Sequence, residues 1–311
     1  MLPIFESILP IFLIVILGVV LKRLPIVDRN VWHGLEEVGY FVLFPALLFL
    51  TLYRADFSGL EITEVSIAAL STITLMFALV LLLWPVLRHR GVSGAAYSTV
   101  FQTATRWNGF IALAVADKLY GDTGLALTAL VMALLIIPLN FGNVAMLVWF
   151  VSPSRDLRVF ARKLATNPLI LSCAAGLLFN YFSIPVYEPL EQGIDLIASA
   201  ALGMGLLMVG AGLRIRDTVK PKPIAILPVF LKLIAYPALM VLIGALAGAQ
   251  GETLILLAIC GSVPTAMNGY LLARQMGGDA TLYATVATLQ TAAAFLTIPL
   301  VLFAAGYLAS G

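Results

Sequence analysis

Arg106-Trp107-Asn108-Gly109-Phe110 and Ala266-Met267-Asn268-Gly269-Tyr270 are two versions of one phrase, each set inside a long apolar stretch. An unsatisfied amide is costly in hydrocarbon, so both Asn side chains must face protein, water or a ligand. The Gly that follows each Asn lowers the cost of unwinding a helix. Pro264 adds a missing backbone donor and disfavours helix at Val263. Both segments therefore read as helix breaks. Each is followed, 30 or 31 residues on, by Ile-Pro-Leu: Ile137-Pro138-Leu139 and Ile298-Pro299-Leu300. Broken helices at matching places in two halves of a membrane protein point to a transporter's binding site.

The rest of the chain fits a membrane setting. Of 311 residues, 61% are hydrophobic and only 11% charged. Mean hydropathy is +1.04, and a soluble domain carries about 25% charged residues. Apolar runs of about 20 residues recur throughout, long enough to span a hydrocarbon core as helices. Short segments of alternating polarity, the mark of a membrane β-barrel, are absent from the sequence. The expectation is an all-α polytopic protein of ten transmembrane helices. These cover roughly 3–21, 34–53, 63–87, 95–117, 123–150, 167–184, 190–212, 223–247, 253–275 and 280–307. Glu6 and the lack of a basic leader make the first a retained span rather than a cleaved signal.

Basic residues orient the spans. Fourteen of the 18 Lys and Arg fall in the loops after spans 1, 3, 5, 7 and 9, among them Lys22, Arg23, Arg88, Arg155, Lys163 and Arg214. The opposite loops hold Arg54 and Lys118 alone. The odd-numbered loops are thus expected to be cytoplasmic and both termini to lie outside, with the chain in the inner (plasma) membrane. The longest loop, 151–166, separates a first five-helix repeat (1–150) from a second (167–311). Gly18 matches Gly176, Leu35 matches Leu190, Asn108 matches Asn268, and Pro138 matches Pro299. The offsets are 158, 155, 160 and 161. Five being odd, the second set starts on the opposite side, so the halves read as inverted repeats with broken crossover helices 4 and 9.

If both helices break and cross, four half-helix ends meet near the midplane. The amino ends offer free N–H groups and a positive partial charge. Such a site favours an anion, with Asn108 and Asn268 donating to carboxylate oxygens, and Gly109, Gly269 and Pro264 shaping the breaks. Arg106 suits a paired contact to a carboxylate or caps free carbonyls. Lys232, about ten residues into span 8, is a charge at membrane depth and so a functional candidate. It either attracts the anion or stands in for a coupling cation. Asn140, Asn143 and Gln290 flank the crossovers as supporting donors. Asp195, in the first turns of span 7, reads as a helix N-terminus charge, and Asp117 with Lys118 as an interfacial pair.

The segment 263–279, from Val263-Pro264-Thr265-Ala266-Met267-Asn268-Gly269-Tyr270 through Arg274-Gln275-Met276-Gly277-Gly278-Asp279, resembles the auxin efflux carrier family of transporters. Arg106-Trp107-Asn108-Gly109-Phe110-Ile111-Ala112-Leu113, the opening from Gly18 to Lys22, and Phe44-Pro45-Ala46 fit too. The resemblance covers essentially the whole chain. It implies a fold like that of bile-acid and sodium/proton carriers. Spans 1, 2, 6 and 7 would form a scaffold, and spans 3–5 and 8–10 a mobile transport domain working as an elevator. It also implies that Asn108 and Asn268 contact the substrate carboxylate, and it leaves room for a homodimer through the scaffold helices. Unlike plant members, this chain has no Pro from Asn108 to Ala114 and a short central loop, which fits a bacterial-type carrier of small organic acids.

Other classes are weaker. Cys173 and Cys260 sit in apolar runs, which supports neither a disulfide framework nor a metal site. With no GxxxxGK[ST] motif there is no sign of ATP-driven pumping, and no cofactor is expected. An intramembrane enzyme would need a nucleophile–base pair or metal ligands at depth, and no HExxH, GxSxG or His in a span is found. The alternatives to a carrier are a passive anion channel and, further off, a transporter-like sensor. Coupling to protons, to sodium or to neither stays open. The basic loops are topology signals, not nucleic-acid patches.

Overall fold

The computed structural model describes residues 2–24, 28–57, 61–151, 166–218, 222–267 and 269–309, and all regular structure among them is helical. Asn268, most of the 151–166 loop and Lys220 lie outside the described residues. In order, the helices are α1 (Leu2–Arg23), α2 (Arg29–Val38), α3 (Phe44–Arg54), α4 (Ile62–Leu82), α5 (Trp84–His89), α6 (Gly94–Thr105) and α7 (Gly109–Phe150). They continue as α8 (Pro168–Tyr181), α9 (Glu188–Ser199), α10 (Ala201–Gly212), α11 (Ile226–Phe230), α12 (Tyr236–Ala247), α13 (Gly251–Ser262), α14 (Gly269–Met276) and α15 (Ala280–Ala309). Among the described residues, seven stretches are long and apolar enough to cross a membrane: Phe5–Arg23, Val31–Arg54, Ile62–His89, Gly94–Phe150, Glu188–Gly212, Pro223–Ala247 and Ala280–Ala309. Pro168–Tyr181 and Gly251–Ser262 are shorter apolar helices.

Prolines and caps account for most of the punctuation. Pro45 and Pro237 cannot donate to the carbonyl four residues back. The turn before each widens into a π stretch, Gly39–Leu43 and Leu231–Ala235, in which Phe44 N–H reaches Gly39 O and Tyr236 N–H reaches Leu231 O. Asn167 caps α8, its Oδ1 accepting from Leu169 N (2.9 Å) and Ile170 N (3.3 Å). The 42 residues of α7 are too many for one crossing, since as a straight helix they would run about 63 Å. They are broken at Gly121, whose backbone (φ 54°, ψ −139°) is one that Gly adopts readily. Past it, a Cβ on Gly124 would sit 2.4 Å from the Ala116 carbonyl oxygen. Eight residues of straight helix would separate those positions by about 12 Å, so the chain doubles back at Gly121.

The helices pack in two neighbourhoods. In one, α1 lies along α10, and α3 along α8 and α9. The α1–α10 crossing is close because Gly18 faces the Leu207 carbonyl and Gly210 faces that of Val15, with no room for a Cβ at either. Arg54 closes the far end of α3 on α9 through Glu191 (2.7 Å) and Asp195 (2.5 Å). Asp195, read as a helix N-terminus charge, is instead half of this ion pair, eight residues into its helix. In the other neighbourhood, α12 packs on α4 and α13, α13 on α15 and α7, and α6 on α7. The two breaks sit where these neighbourhoods meet.

Candidate functional site

Helix α6 starts at the Ser93 cap, whose hydroxyl accepts from Ala96 N, and ends where Arg106 turns extended (φ −65°, ψ 151°). Asn108 (φ −94°, ψ 94°) then restarts the helix as its N-cap. Its Oδ1 accepts from Phe110 N (3.1 Å) and Ile111 N (3.3 Å). That geometry satisfies two of the free N–H groups of a helix start and uses the amide's acceptor. Among the described residues no hydrogen bond uses the Asn108 amide nitrogen. The first break therefore needs no proline: Asn108 itself supplies the cap.

The second break runs from Val263, extended (φ −71°, ψ 148°) as a residue before Pro prefers, to the start of α14 at Gly269. Three contacts hold it. Thr265 N donates to Gln290 Oε1 (2.8 Å). Tyr283 Oη donates to the Ala266 carbonyl (2.7 Å) and lies 3.1 Å from Thr265 Oγ1. The Asn108 backbone N–H donates to the Pro264 carbonyl at 2.7 Å, so the two breaks touch. The carboxyl ends of α6 and α13 and the amino ends of α7 and α14 thus converge. Asn268 lies outside the described residues, between Met267 and Gly269.

Gly269 is fixed by Tyr283: a Cβ there would fall 2.1 Å from the Tyr283 hydroxyl. Gly109 is less constrained, its nearest contact being Met132 Sδ at 3.2 Å. Gln290, fully buried, donates from Nε2 to the Thr103 and Pro228 carbonyls (both 2.9 Å) while accepting from Thr265. One amide therefore ties both crossovers to the chain entering α12. Its donors are spent inside the protein, so it braces the site. Lys232 is also fully buried. Its Nζ donates to the Gly261 carbonyl (2.7 Å) at the carboxyl end of α13 and sits 4.0 Å over the Tyr236 ring. A cation at a helix carboxyl end meets the negative end of the helix dipole.

Arg106 is partly buried, its backbone N–H bonded to the Gln102 carbonyl (2.8 Å), and its guanidinium is in electrostatic reach of Tyr40 and Tyr283. Asn140 and Asn143 turn inward on their own helix, donating to the Ile136 (2.8 Å) and Leu139 (2.6 Å) carbonyls one turn back. Both of these bonds stay within α7 rather than reaching the crossover. Asp117 lines a cavity near Asp122.

Tyr283 is the residue the sequence did not flag. The signal was there in weak form, because a phenol in an apolar helix needs a partner for its hydroxyl. Tyr283→Phe removes both hydroxyl contacts and keeps the ring. It is expected to lower stability by about 1–2 kcal/mol and to weaken ligand binding several-fold with insertion intact. Thermal unfolding and ligand titration of the purified variant check this.

Residues 152–302 match the family model described as membrane transport protein. Over 300 residues, 95% of this chain and 96% of the relative, the sequence is 25% identical to an uncharacterized transporter of Methanothermobacter thermautotrophicus. It is 28% identical over 289 residues (87% and 86%) to a protein of Rhizobium meliloti named "Putative malonate transporter". It is 23% identical over 278 residues (86% of each) to the uncharacterized transporter YfdV of Escherichia coli.

Proposed function

We propose, for a chain that belongs to the membrane transport protein family and is of the bacterial transporter type, a secondary carrier of small organic anions, mono- or dicarboxylates. The observation that carries this reading is the bond from Asn108 N–H to the Pro264 carbonyl. It brings the amino end of α7 against the extended segment that leads into α14, so that two helix amino ends lie close together and their dipoles favour a negative charge. Asn108 spends its oxygen on the cap and keeps its amide N–H groups for the substrate; Asn268 is the second donor. Arg106 adds positive charge beside them. Gln290 braces the crossing, and Lys232 serves as a built-in cation at the carboxyl end of α13 rather than as a direct anion ligand. The malonate in a relative's name supports a carboxylate substrate class.

The architecture we infer is ten membrane passes in two inverted repeats. Gly94–Phe150 is interrupted at 106–108 and turns at Gly121, which supports two passes there. Pro168–Tyr181 supplies a further pass, and Gly251–Ser262 with Gly269–Met276 another, broken one. The packing neighbourhoods support a scaffold of spans 1, 2, 6 and 7 and a transport domain of spans 3–5 and 8–10, with elevator movement between them. The basic loops support cytoplasmic odd-numbered loops and outward termini in the inner membrane. That relatives are named as transporters supports a carrier over an intramembrane enzyme.

Flux separates a carrier from the runner-up, an open anion pore. In proteoliposomes, uptake of a labelled small carboxylate such as malonate is expected to saturate with concentration. It is also expected to accelerate when unlabelled carboxylate is loaded on the far side. Uptake that stays linear and shows no such counterflow would indicate a pore.

A further inference from the structure

A cavity of about 570 Å³ lies between α3, the junction of α9 with α10, and the Gly121 turn of α7. Three helical stripes run along its walls. Leu47, Thr51 and Arg54 line it on α3; Asp195, Ala198 and Leu202 line it across the α9–α10 junction; Asp117 lines it on α7. Each stripe continues at helical spacing one or two turns beyond the cavity, to Phe44, Gly205 and Phe110. At one end the stripes are joined by the Arg54–Asp195 pair (2.5 Å). At the other, the rings of Phe44 and Phe110 stack with centroids 3.8 Å apart and planes at 24°. Gly205 seats both rings, since a Cβ there would meet Phe44 at 2.6 Å and Phe110 at 3.3 Å. Ten residues of α3 separate the two ends, about 15 Å.

Phe110 lies in the first turn after the crossover, its backbone N–H bonded to Asn108 Oδ1 (3.1 Å). Phe44 belongs to α3 and Phe110 to the first turn of the restarted helix, so the rings meet across the two packing neighbourhoods. Away from this cavity the second crossover is packed in: Met267 fills the space over Gly212, and the Arg214 guanidinium lies 4.2 Å over the Tyr270 ring.

We propose that Phe44 and Phe110 form a selectivity gate at the inner end of this cavity, and that the cavity is the path by which small carboxylates reach Asn108. The proposal rests on the carrier reading above. The path widens only when the two rings separate, so the size of what passes is set by the gap between Phe44 and Phe110 over Gly205. The mouth carries Asp56, Asp117, Asp122 and Asp195 against Arg54. This excess of negative charge slows all anions and dianions most, so monocarboxylates enter faster than a dicarboxylate such as malonate, which still passes.

Thiol labelling of purified protein in detergent tests the gate without a substrate. Cys173 and Cys260 are buried and give little background. A hydrophilic thiol reagent is expected to modify Thr51→Cys, which lines the cavity and is partly exposed, quickly in any background. It should modify Asn108→Cys slowly alone and at least tenfold faster when combined with Phe44→Ala or, should that pair fold poorly, with Phe110→Leu. Unchanged labelling of Asn108→Cys in a folded, monodisperse gate variant would overturn the proposal. In parallel, Phe44→Ala should extend uptake to bulkier monocarboxylates that the native protein excludes. Faster labelling in a protein that binds no carboxylate would keep the gate and remove the carrier reading. Carboxylate binding with unchanged labelling would remove the gate alone.

Discussion

Lys232→Met is expected to lower thermal stability by about 1.5–3 kcal/mol, the range for losing a hydrogen bond to a charged group, and to reduce carboxylate uptake below a tenth of native. Methionine keeps the length and apolar stem of the side chain but removes the ammonium. The Gly261 carbonyl, bonded by Nζ at 2.7 Å, then loses its partner in a fully buried site. The carboxyl end of α13 also loses the cation that opposes its dipole. Lys232→Arg should not restore function, because a planar guanidinium is larger than the ammonium that fits between Gly261 and the Tyr236 ring. Unfolding midpoints in detergent with uptake in proteoliposomes read both effects. A Met variant as stable as native would remove the bracing role.

Asn108 and Asn268 carry the second large effect. Asn108→Ala and Asn268→Ala are each expected to slow carboxylate uptake at least tenfold while insertion into the membrane is unchanged. At Asn108 two losses overlap in the Ala variant, because the N-cap bonds to Phe110 and Ile111 go with the amide. Removing a cap costs about 0.5–2 kcal/mol. Asn108→Ser separates them, since Ser caps a helix about as well as Asn but has no amide N–H groups. The Ser variant should melt close to native and still fail in uptake. Recovery of uptake in Asn108→Ser would mean that the residue matters as a cap alone.

Much of this architecture is legible in the sequence. Apolar run length locates the helices. An Asn-Gly inside such a run locates both breaks, because a buried amide and a helix-weakening Gly are each costly in an unbroken membrane helix. Gln290 was legible as a supporting donor by its place in the sequence. Its three partners in three different segments were not, since they depend on which helices cross. Lys232 was legible as a buried charge, but the choice between anion ligand and helix-end cation turns on the Gly261 carbonyl, which belongs to another helix. Asn140 and Asn143 show the reverse failure: their positions suggested the site, while the carbonyl one turn back was the nearer partner. Tyr283, the Phe44–Phe110 stack and the cavity above it are long-range contacts with no local signature. Aromatic residues are common in any membrane span, and nothing in the spacing of these three sets them apart.

If the two breaks make one carboxylate site, Asn108 and Asn268 act on the same ligand, and equilibrium titration reads that directly. A small carboxylate, chosen by thermal-shift screening of mono- and dicarboxylates, is titrated into the native protein, Asn108→Ala, Asn268→Ala and the double variant. Binding at least tenfold weaker is expected in each single variant, about 1.4 kcal/mol or more. The double variant is expected to be weakened by less than the product of the two, as for residues that share one ligand. Native affinity in both single variants would contradict a shared site at the crossing.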